Sequence, residues 1–286
     1  MKKRLMLLVV VTALLAATVP PAAAVTRGGS LDGGAHPYVG IMVAKIDGTP
    51  VWRCSGTLIT DNLYVTAGHC TFGATSVEIW FDTDLMDQGG PGAAGYPFTG
   101  EVSGTPYTLP GHTASTWFLY DLGVVVLDDP VDLGPYPVLP DVGQLDALAQ
   151  GRKSANVTAV GYGLQEFVEG PLCVGPEDCE GGNFFDPKIQ SDLIRYKATL
   201  MVVNSQGVAG LGNITKNNPE LAGSFLVSGD AKHGGTCFGD SGGPMLMGNV
   251  LVGVNSFALN RNCAGTGGAF RVDQPTSLAF IEEHLD

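Results

Sequence analysis

Three short motifs carry the residue types needed for nucleophilic catalysis. The run T-A-G-H-C contains His69, the run D-L-G-V-V-V-L opens with Asp121, and the run G-D-S-G-G-P contains Ser241. A serine hydroxyl is a weak nucleophile that needs a neighbouring base, and a carboxylate can orient a histidine for that task. Each motif alone also has a structural explanation, as a core histidine, a strand-end aspartate or a glycine-rich turn. Their combination in one chain favours a catalytic serine.

The serine motif also satisfies the G-x-S-x-G pattern of the nucleophile turn in α/β-hydrolases, and Asp273 and His284 follow Ser241 as candidate partners. That fold needs strands and helices that alternate on both sides of the nucleophile. Only 45 residues follow Ser241, and the preceding region is rich in strand-like runs and poor in helical ones. The pattern of elements therefore disfavours an α/β-hydrolase.

Short strand-like runs, rich in Val, Ile, Tyr and Phe, recur along the chain between clusters of Gly, Asp, Asn and Pro. They predict strands at 38–44, 56–59, 63–67, 77–81, 122–127, 157–162, 198–203, 250–257 and 269–272. Helical periodicity is convincing only at 274–286. Many strands and almost no helices predict an antiparallel β architecture, closed or nearly closed so that few edges are exposed.

The first 24 residues have the features of a bacterial type of secretory signal. The basic run Lys2-Lys3-Arg4 precedes an apolar stretch at 5–19, and Ala22-Ala23-Ala24 matches a cleavage site. The stretch is shorter than the ~20 residues that span a membrane. We therefore expect cleavage after residue 24 and a secreted, extracellular protein that carries no membrane segment.

Charge excludes two classes of partner. The chain has 15 basic and 28 acidic side chains, and loss of the three basic residues of the signal leaves 12 against 28, a net charge of −16. Such an acidic protein should repel nucleic acids and anionic membrane surfaces.

Six cysteines lie beyond the signal, at positions 54, 70, 173, 179, 237 and 263. An even number in an exported chain favours disulfides over metal ligation, although six cysteines permit 15 connectivities. The simplest arrangement pairs neighbours along the chain: Cys54–Cys70, Cys173–Cys179 and Cys237–Cys263.

The motifs, together with the run C-S-G-T-L-I at 54–59, occur in the order found in chymotrypsin/trypsin-like serine proteases, and the chain resembles that family over essentially its whole mature length. The resemblance implies an all-β fold of two six-stranded antiparallel β-barrels, with the active site between them and a C-terminal helix. A proline-rich stretch at 129–151 suits a linker. We expect a signal peptide at 1–24, an N-terminal barrel at 25–140 and a C-terminal barrel with the helix at 141–286.

The resemblance also implies a role for each site residue. His69 is the general base, Asp121 orients it, and Ser241 attacks the peptide carbonyl to form an acyl-enzyme. The amides of Gly239 and Ser241 form the oxyanion hole. The expected partners are peptide or protein substrates and proteinaceous inhibitors, and no cofactor is needed. The alternative is a protease-like fold that serves as a non-catalytic binding protein.

In this family a newly exposed α-ammonium pairs with the aspartate before the nucleophile, here Asp240. The sequence departs from the family here, because V-T-R-G-G at 25–29 stands where the family has I-V-G-G after a basic residue. Signal cleavage after residue 24 would expose Val25 directly. We therefore expect signal peptidase to generate the active N-terminus.

The family places the primary specificity pocket beside the nucleophile. Its floor, six residues before the serine, is Gly235, which offers no charge to a basic side chain. A neutral pocket predicts cleavage after apolar residues. The residues assigned to it are Gly235, Thr236, Ser256, Phe257, Ala258 and Gly268.

Asp82, Asp84 and Asp87 lie in a loop where some family members bind calcium, and carboxylates are suitable ligands for that ion. A solvated acidic loop is the favoured interpretation in so acidic a protein. The sequence therefore predicts no metal site.

Overall fold

The computed structural model describes residues 29–87, 95–146, 155–164, 193–205, 223–229, 234–259, 263 and 265–285. These residues form thirteen strands: β1 (Ser30–Leu31), β2 (Val39–Ile46), β3 (Thr49–Leu58), β4 (Leu63–Thr66), β5 (Ser76–Trp80), β6 (Val102–Thr108), β7 (Gly123–Leu127), β8 (Asn156–Gly161), β9 (Tyr196–Asn204), β10 (Ser224–Ser228), β11 (Pro244–Met247), β12 (Val250–Ala258) and β13 (Thr266–Arg271). They also form helices α1 (Gly68–Thr71) and α2 (Pro275–Glu282) and a 3₁₀ turn (Ala114–Thr116). No helix in these ranges is both long and apolar enough to cross a membrane.

Twelve of the strands close into two antiparallel barrels of six strands each. The first has the order β2-β3-β4-β7-β6-β5 and closes where β5 pairs with β2. The second has the order β8-β9-β10-β13-β12-β11 and closes where β11 pairs with β8. The predicted all-β fold of two barrels and a C-terminal helix is therefore confirmed. Residue 140, our expected domain boundary, falls between β7 and β8.

All nine predicted strand runs overlap observed strands, with shifts at their ends. Strands β1, β6, β10 and β11 were not among those runs. The expected helix at 274–286 ends at Glu282, and the residues after it form a turn in which the His284 imidazole contacts the Phe280 carbonyl oxygen at 2.8 Å. Pro275 suits the start of this helix because the first turn needs no intrahelical N–H donor there.

Each end of the described chain packs against the barrel that is more distant in sequence. Strand β1 precedes the first barrel but pairs with β9 of the second, with Ser30 opposite Lys197. Helix α2 follows the second barrel but buries Leu278 and Ile281 in the same cluster as the core of the first. These crossings join the two barrels at both ends of the described chain.

A buried ion pair holds the segment after β1 in place. The Arg195 Nε donates a hydrogen bond of 3.0 Å to Asp32, and Arg195 Nη1 donates at 2.8 Å to the carbonyl oxygens of Val39 and Phe81 in the first barrel. Burial alone would raise the pKa of Asp32, but hydrogen bonds from His36 and the nearby positive charges lower it to about 2. The stabilisation from this carboxylate is therefore complete above its ordinary pKa of 3.8 and is lost as the pH falls through 2.

Replacing Arg195 tests whether this ion pair joins the barrels. Arg195→Leu should lower the free energy of unfolding at pH 7 by about 3–5 kcal/mol, because Asp32 would remain buried without its counter-charge. Urea unfolding followed by circular dichroism measures the loss. As a control, Lys197→Gln removes a more exposed cation near the same carboxylate and should cost less than about 1 kcal/mol. Equal, small losses in both variants would contradict this role.

Candidate active site

A buried strand positions His69 in the site. All four residues of β4 are buried, and α1 begins two residues after that strand ends, with His69 as its second residue. The disulfide Cys54–Cys70 ties this helix to β3. The backbone beside the imidazole is thus fixed by the sheet on one side and by a covalent bond on the other.

Asp121 is fully buried and receives three hydrogen-bond donors. The His69 backbone N–H donates to it at 2.8 Å, and His69 Nδ1 lies 3.0 Å from each carboxylate oxygen. The third donor is the Ser256 hydroxyl, at 2.5 Å. A carboxylate that accepts from Nδ1 keeps the proton there, so Nε2 is left with the lone pair that a general base requires.

His112 adds a second imidazole behind the carboxylate. Its ring is buried, its Nδ1 donates at 3.1 Å to the Leu119 carbonyl oxygen, and the same atom lies 3.9 Å from Asp121. Burial lowers the pKa of His112, and the Asp121 charge only partly offsets this effect. His112 is therefore neutral at pH 7. The negative charge of Asp121 remains available to stabilise a protonated His69. No sequence motif pointed to His112.

The turn that carries Ser241 lies directly against the first barrel. The Ser55 N–H donates at 2.8 Å to the Ser241 carbonyl oxygen. Gly242 has φ +78°, and a Cβ atom there would lie 2.5 Å from the Ser55 carbonyl oxygen and 2.7 Å from the Ala67 nitrogen. Only glycine permits both the backbone conformation and the close approach. The turn therefore brings Ser241 to the end of the strand that precedes His69.

No hydrogen bond joins the Ser241 hydroxyl to His69 among the residues that the structure describes. Catalytic hydrogen bonds are often long before substrate binds and tighten in the complex. The backbone contacts of the turn, rather than that side-chain bond, hold the two residues together here.

Two backbone amides in the turn are available to a ligand. The Asp240 N–H donates at 3.0 Å to the Cys237 carbonyl oxygen, whereas the amides on either side, of Gly239 and Ser241, have no acceptor within the described ranges. Gly239 has φ +96°, a conformation that favours glycine. Two such donors can stabilise negative charge that develops on a carbonyl oxygen.

The Asp240 side chain points into the protein rather than toward the site. It accepts hydrogen bonds from the Gly163 N–H at 2.8 Å and the Cys237 N–H at 2.9 Å. Burial raises the pKa of Asp240 to about 6, against the opposing effects of these bonds and of the Arg53 charge. Val25, its expected partner, lies outside the described residues, so that ion pair stays a prediction.

A cavity lies where the primary specificity pocket is expected. Gly235, Thr236 and Ala258 line it, together with Gly267 and Cys263. Its other lining residues are Leu200, Val227, Gly229, Gly265 and Thr266, so none of the described residues around it carries a charge. The disulfide Cys237–Cys263 borders the cavity.

Three of the residues assigned to the pocket, Ser256, Phe257 and Gly268, are not among those that line this cavity. Ser256 donates to Asp121, and the Phe257 ring packs against the position that a Cβ atom of Gly268 would take. Gly267, the residue before Gly268, lines the cavity in its place.

An aromatic cluster that no sequence motif predicted adjoins His69. The Trp117 ring lies 5.8 Å from that of His69 and 6.3 Å from that of Phe257, and Phe118 lies 6.4 Å from Phe257. Trp117 is 39% exposed. Nothing in the sequence motifs pointed to residues 117 and 118, which precede Asp121 without a recognisable pattern.

Other residues considered from the sequence have local roles. Asp273 pairs with Arg271 at 2.7 Å, and His284 lies against Tyr107, so neither approaches the serine turn as an α/β-hydrolase would require. The Asp84 carboxylate accepts hydrogen bonds from the backbone N–H groups of Met86, at 2.9 Å, and Asp87, at 3.1 Å. These bonds close a local turn. Cys173 and Cys179 lie outside the described residues.

Comparisons with known proteins agree with this geometry. A family model described as Trypsin matches residues 27–171 and 192–278. One relative is chymotrypsin from Phaedon cochleariae, which is 25% identical over 87% of this chain and 78% of the relative. Another is trypsin from Saccharopolyspora erythraea, which is 28% identical over 81% of this chain and 85% of the relative.

Among solved structures, HL collagenase aligns with a TM-score of 0.61 and 18% identity, covering 90% of this chain and 96% of the other. At that identity the likeness supports the fold alone. The family match, by contrast, covers most of the chain, including all three catalytic motifs. The chain therefore belongs to the trypsin family and is a serine-type endopeptidase that acts on peptide or protein substrates.

Proposed function

We propose that this protein is a secreted endopeptidase that cleaves after apolar residues through an acyl-enzyme on Ser241. The observation that carries the proposal is the buried carboxylate of Asp121, which holds His69 by two separate nitrogen atoms beside the serine turn. Such an arrangement has little structural purpose unless His69 must keep one tautomer.

In the first step, the Ser241 hydroxyl attacks the scissile carbonyl carbon while its proton passes to His69 Nε2. A C–O bond forms, and the carbonyl oxygen becomes an oxyanion that the amides of Gly239 and Ser241 stabilise. Collapse of this intermediate breaks the C–N bond, and His69 gives its proton to the leaving amine. Water then repeats the sequence on the ester and releases Ser241.

The pocket supports an apolar preference. A buried lysine or arginine side chain needs a counter-charge, and the described lining of the cavity offers none. The ring cluster of Trp117, Phe118 and Phe257 adds apolar surface next to His69.

We propose that the α-ammonium of Val25 pairs with Asp240 and so fixes the oxyanion turn. Asp240 is buried among backbone amides that satisfy its oxygens but do not neutralise its charge. Secretion fits this activation step, because signal cleavage would create the required N-terminus. The two described disulfides are also typical of exported proteins.

Covalent labelling tests catalysis directly. The secreted protein should react with a phosphonate or sulfonyl fluoride serine probe at Ser241, and Ser241→Ala should abolish the reaction. Asp121→Asn should lower kcat by about 10⁴-fold, because the histidine would lose its fixed tautomer. A folded protein, judged by its melting temperature, that neither labels nor cleaves peptides would favour the non-catalytic binding protein instead.

A peptide-library cleavage profile tests the pocket. Peptides with Leu, Met, Phe or Tyr before the cut should have kcat/KM values at least about tenfold above those with Lys or Arg. Gly235→Asp should raise cleavage after Lys and Arg, because the pocket would gain a counter-charge. Gly48→Asp, which adds the same charge at an exposed turn, should leave the preference unchanged. Efficient cleavage after Arg by the unaltered protein, with apolar substrates left uncut, would refute the assignment.

Two N-terminal forms test activation. The form that begins at Val25 should be active, and a form that retains Ala24 should lose roughly 100-fold in kcat/KM, because its ammonium group is displaced from the buried carboxylate. Asp240→Asn should lose a similar amount, and combining it with the retained Ala24 should add little further loss. Full activity of the extended form, or an active secreted protein that begins at Gly28 or later, would contradict the proposal.

A further inference from the structure

A buried hydroxyl group reaches the serine turn from the other barrel and has no part in the mechanism described above. Ser55 lies on β3 of the first barrel and is fully buried. Its Oγ donates a hydrogen bond of 2.8 Å to the Gly239 carbonyl oxygen and accepts one of 3.0 Å from the Tyr162 N–H. One hydroxyl group thus joins β3, the serine turn and the residue that follows β8.

The carbonyl group that Ser55 holds belongs to the middle of three successive peptides in the turn. The first of these peptides carries the Gly239 N–H, and the third carries the Ser241 N–H. The Gly239–Asp240 peptide therefore connects the two proposed oxyanion donors. Peptides are planar units joined at their α-carbons, so a rotation of the middle one displaces both donors.

Each outer peptide of the turn is held by a backbone donor. The carbonyl oxygen of Phe238 accepts from the Leu164 N–H at 2.9 Å, and that of Asp240 accepts from the Gly243 N–H at 2.9 Å. The carbonyl oxygen of the middle peptide accepts instead from a side chain, that of Ser55. A substitution at residue 55 can therefore remove this restraint and leave the backbone hydrogen bonds in place.

Gly239 makes the turn sensitive to the loss of this bond. Its φ is +96°, and glycine restricts the rotation of its neighbouring peptides less than any other residue. Without the Ser55 hydroxyl group, the carbonyl oxygen of Gly239 would lose its buried donor, which is unfavourable. The peptide would then no longer be held by its oxygen, and the glycine would let it rotate.

We infer that Ser55 is a positioning residue for the oxyanion hole, and that its hydroxyl group keeps the amides of Gly239 and Ser241 aimed at the developing oxyanion. Such donors act only within about 2.7–3.1 Å of the oxyanion, so misaligned amides stabilise the transition state less while they bind the substrate almost as well. The effect therefore falls on kcat rather than on KM. The inference rests on the proposed function, because the oxyanion forms only when Ser241 attacks a carbonyl group.

Two variants separate the hydroxyl group from the volume that it fills. Ser55→Ala should lower kcat for a peptide amide with an apolar residue before the cut by about tenfold, with KM changed less than about threefold. In Ser55→Gly, a water molecule has room to bridge the Gly239 carbonyl oxygen and the Tyr162 N–H, so kcat should fall only about threefold.

A peptide aldehyde gives an independent measurement, because its adduct with Ser241 places an oxygen in the oxyanion hole. Its dissociation constant should rise in Ser55→Ala by about the same factor as kcat/KM falls. A residue that only stabilised the fold would change the melting temperature without this parallel change.

Thr57→Val is the matched control. Thr57 is fully buried on the same strand, but its hydroxyl group donates to the neighbouring Leu58 carbonyl oxygen, at 3.2 Å, rather than to the serine turn. This variant should lower the melting temperature and leave kcat and the affinity for the aldehyde unchanged. An equal loss of kcat in Thr57→Val would overturn the inference.

The unaltered enzyme is measured first, so that the two levels of the account fail separately. Absence of both cleavage and probe labelling would overturn the proposed function and the inference with it. An active enzyme whose folded Ser55→Ala variant keeps its kcat and its affinity for the aldehyde would overturn the inference alone. If Ser55→Ala does not fold, Ser55→Gly decides, and a kcat equal to that of the unaltered enzyme would overturn the inference.

Discussion

The backbone N–H of Ser55 donates a 2.8 Å hydrogen bond to the carbonyl oxygen of Ser241, and this contact joins the two barrels at the catalytic centre. Ser241 belongs to a turn of the second barrel, whereas His69 and Asp121 belong to the first. A side chain at Gly242 would collide with Ser55 and Ala67. The close approach of these two backbones is therefore what turns three separate motifs into one site.

The same contact organises the polar groups beneath the site. The Ser55 hydroxyl donates at 2.8 Å to the Gly239 carbonyl oxygen and accepts at 3.0 Å from the Tyr162 N–H. This bridge fixes the Gly239–Asp240 peptide, and the Leu164 N–H, which donates at 2.9 Å to the Phe238 carbonyl oxygen, holds the peptide that carries the Gly239 N–H. Next to it, Asp240 and Arg53 are buried opposite charges that are not paired with each other by a salt bridge in the described structure. The proposed α-ammonium of Val25 would neutralise the charge of Asp240.

Sequence patterns predicted the parts of the molecule that depend on local chemistry. The three motifs pointed to His69, Asp121 and Ser241, which the structure places at one junction of the barrels, and the alternation of apolar runs with turn residues predicted the closed β architecture. Patterns failed where tertiary contacts decide the outcome. His112 is a lone histidine without a motif, and Arg195 meets Asp32 across 163 positions.

We propose that the serine turn, held against the first barrel, forms a working oxyanion hole beside His69. A crystal structure of the protein after reaction with a peptidyl phosphonate tests it most directly. We predict a phosphorus–oxygen bond to Ser241 and a phosphoryl oxygen about 2.7–3.1 Å from the amides of both Gly239 and Ser241. A phosphoryl oxygen that points to solvent, with the Gly239 amide turned away from it, would contradict the account.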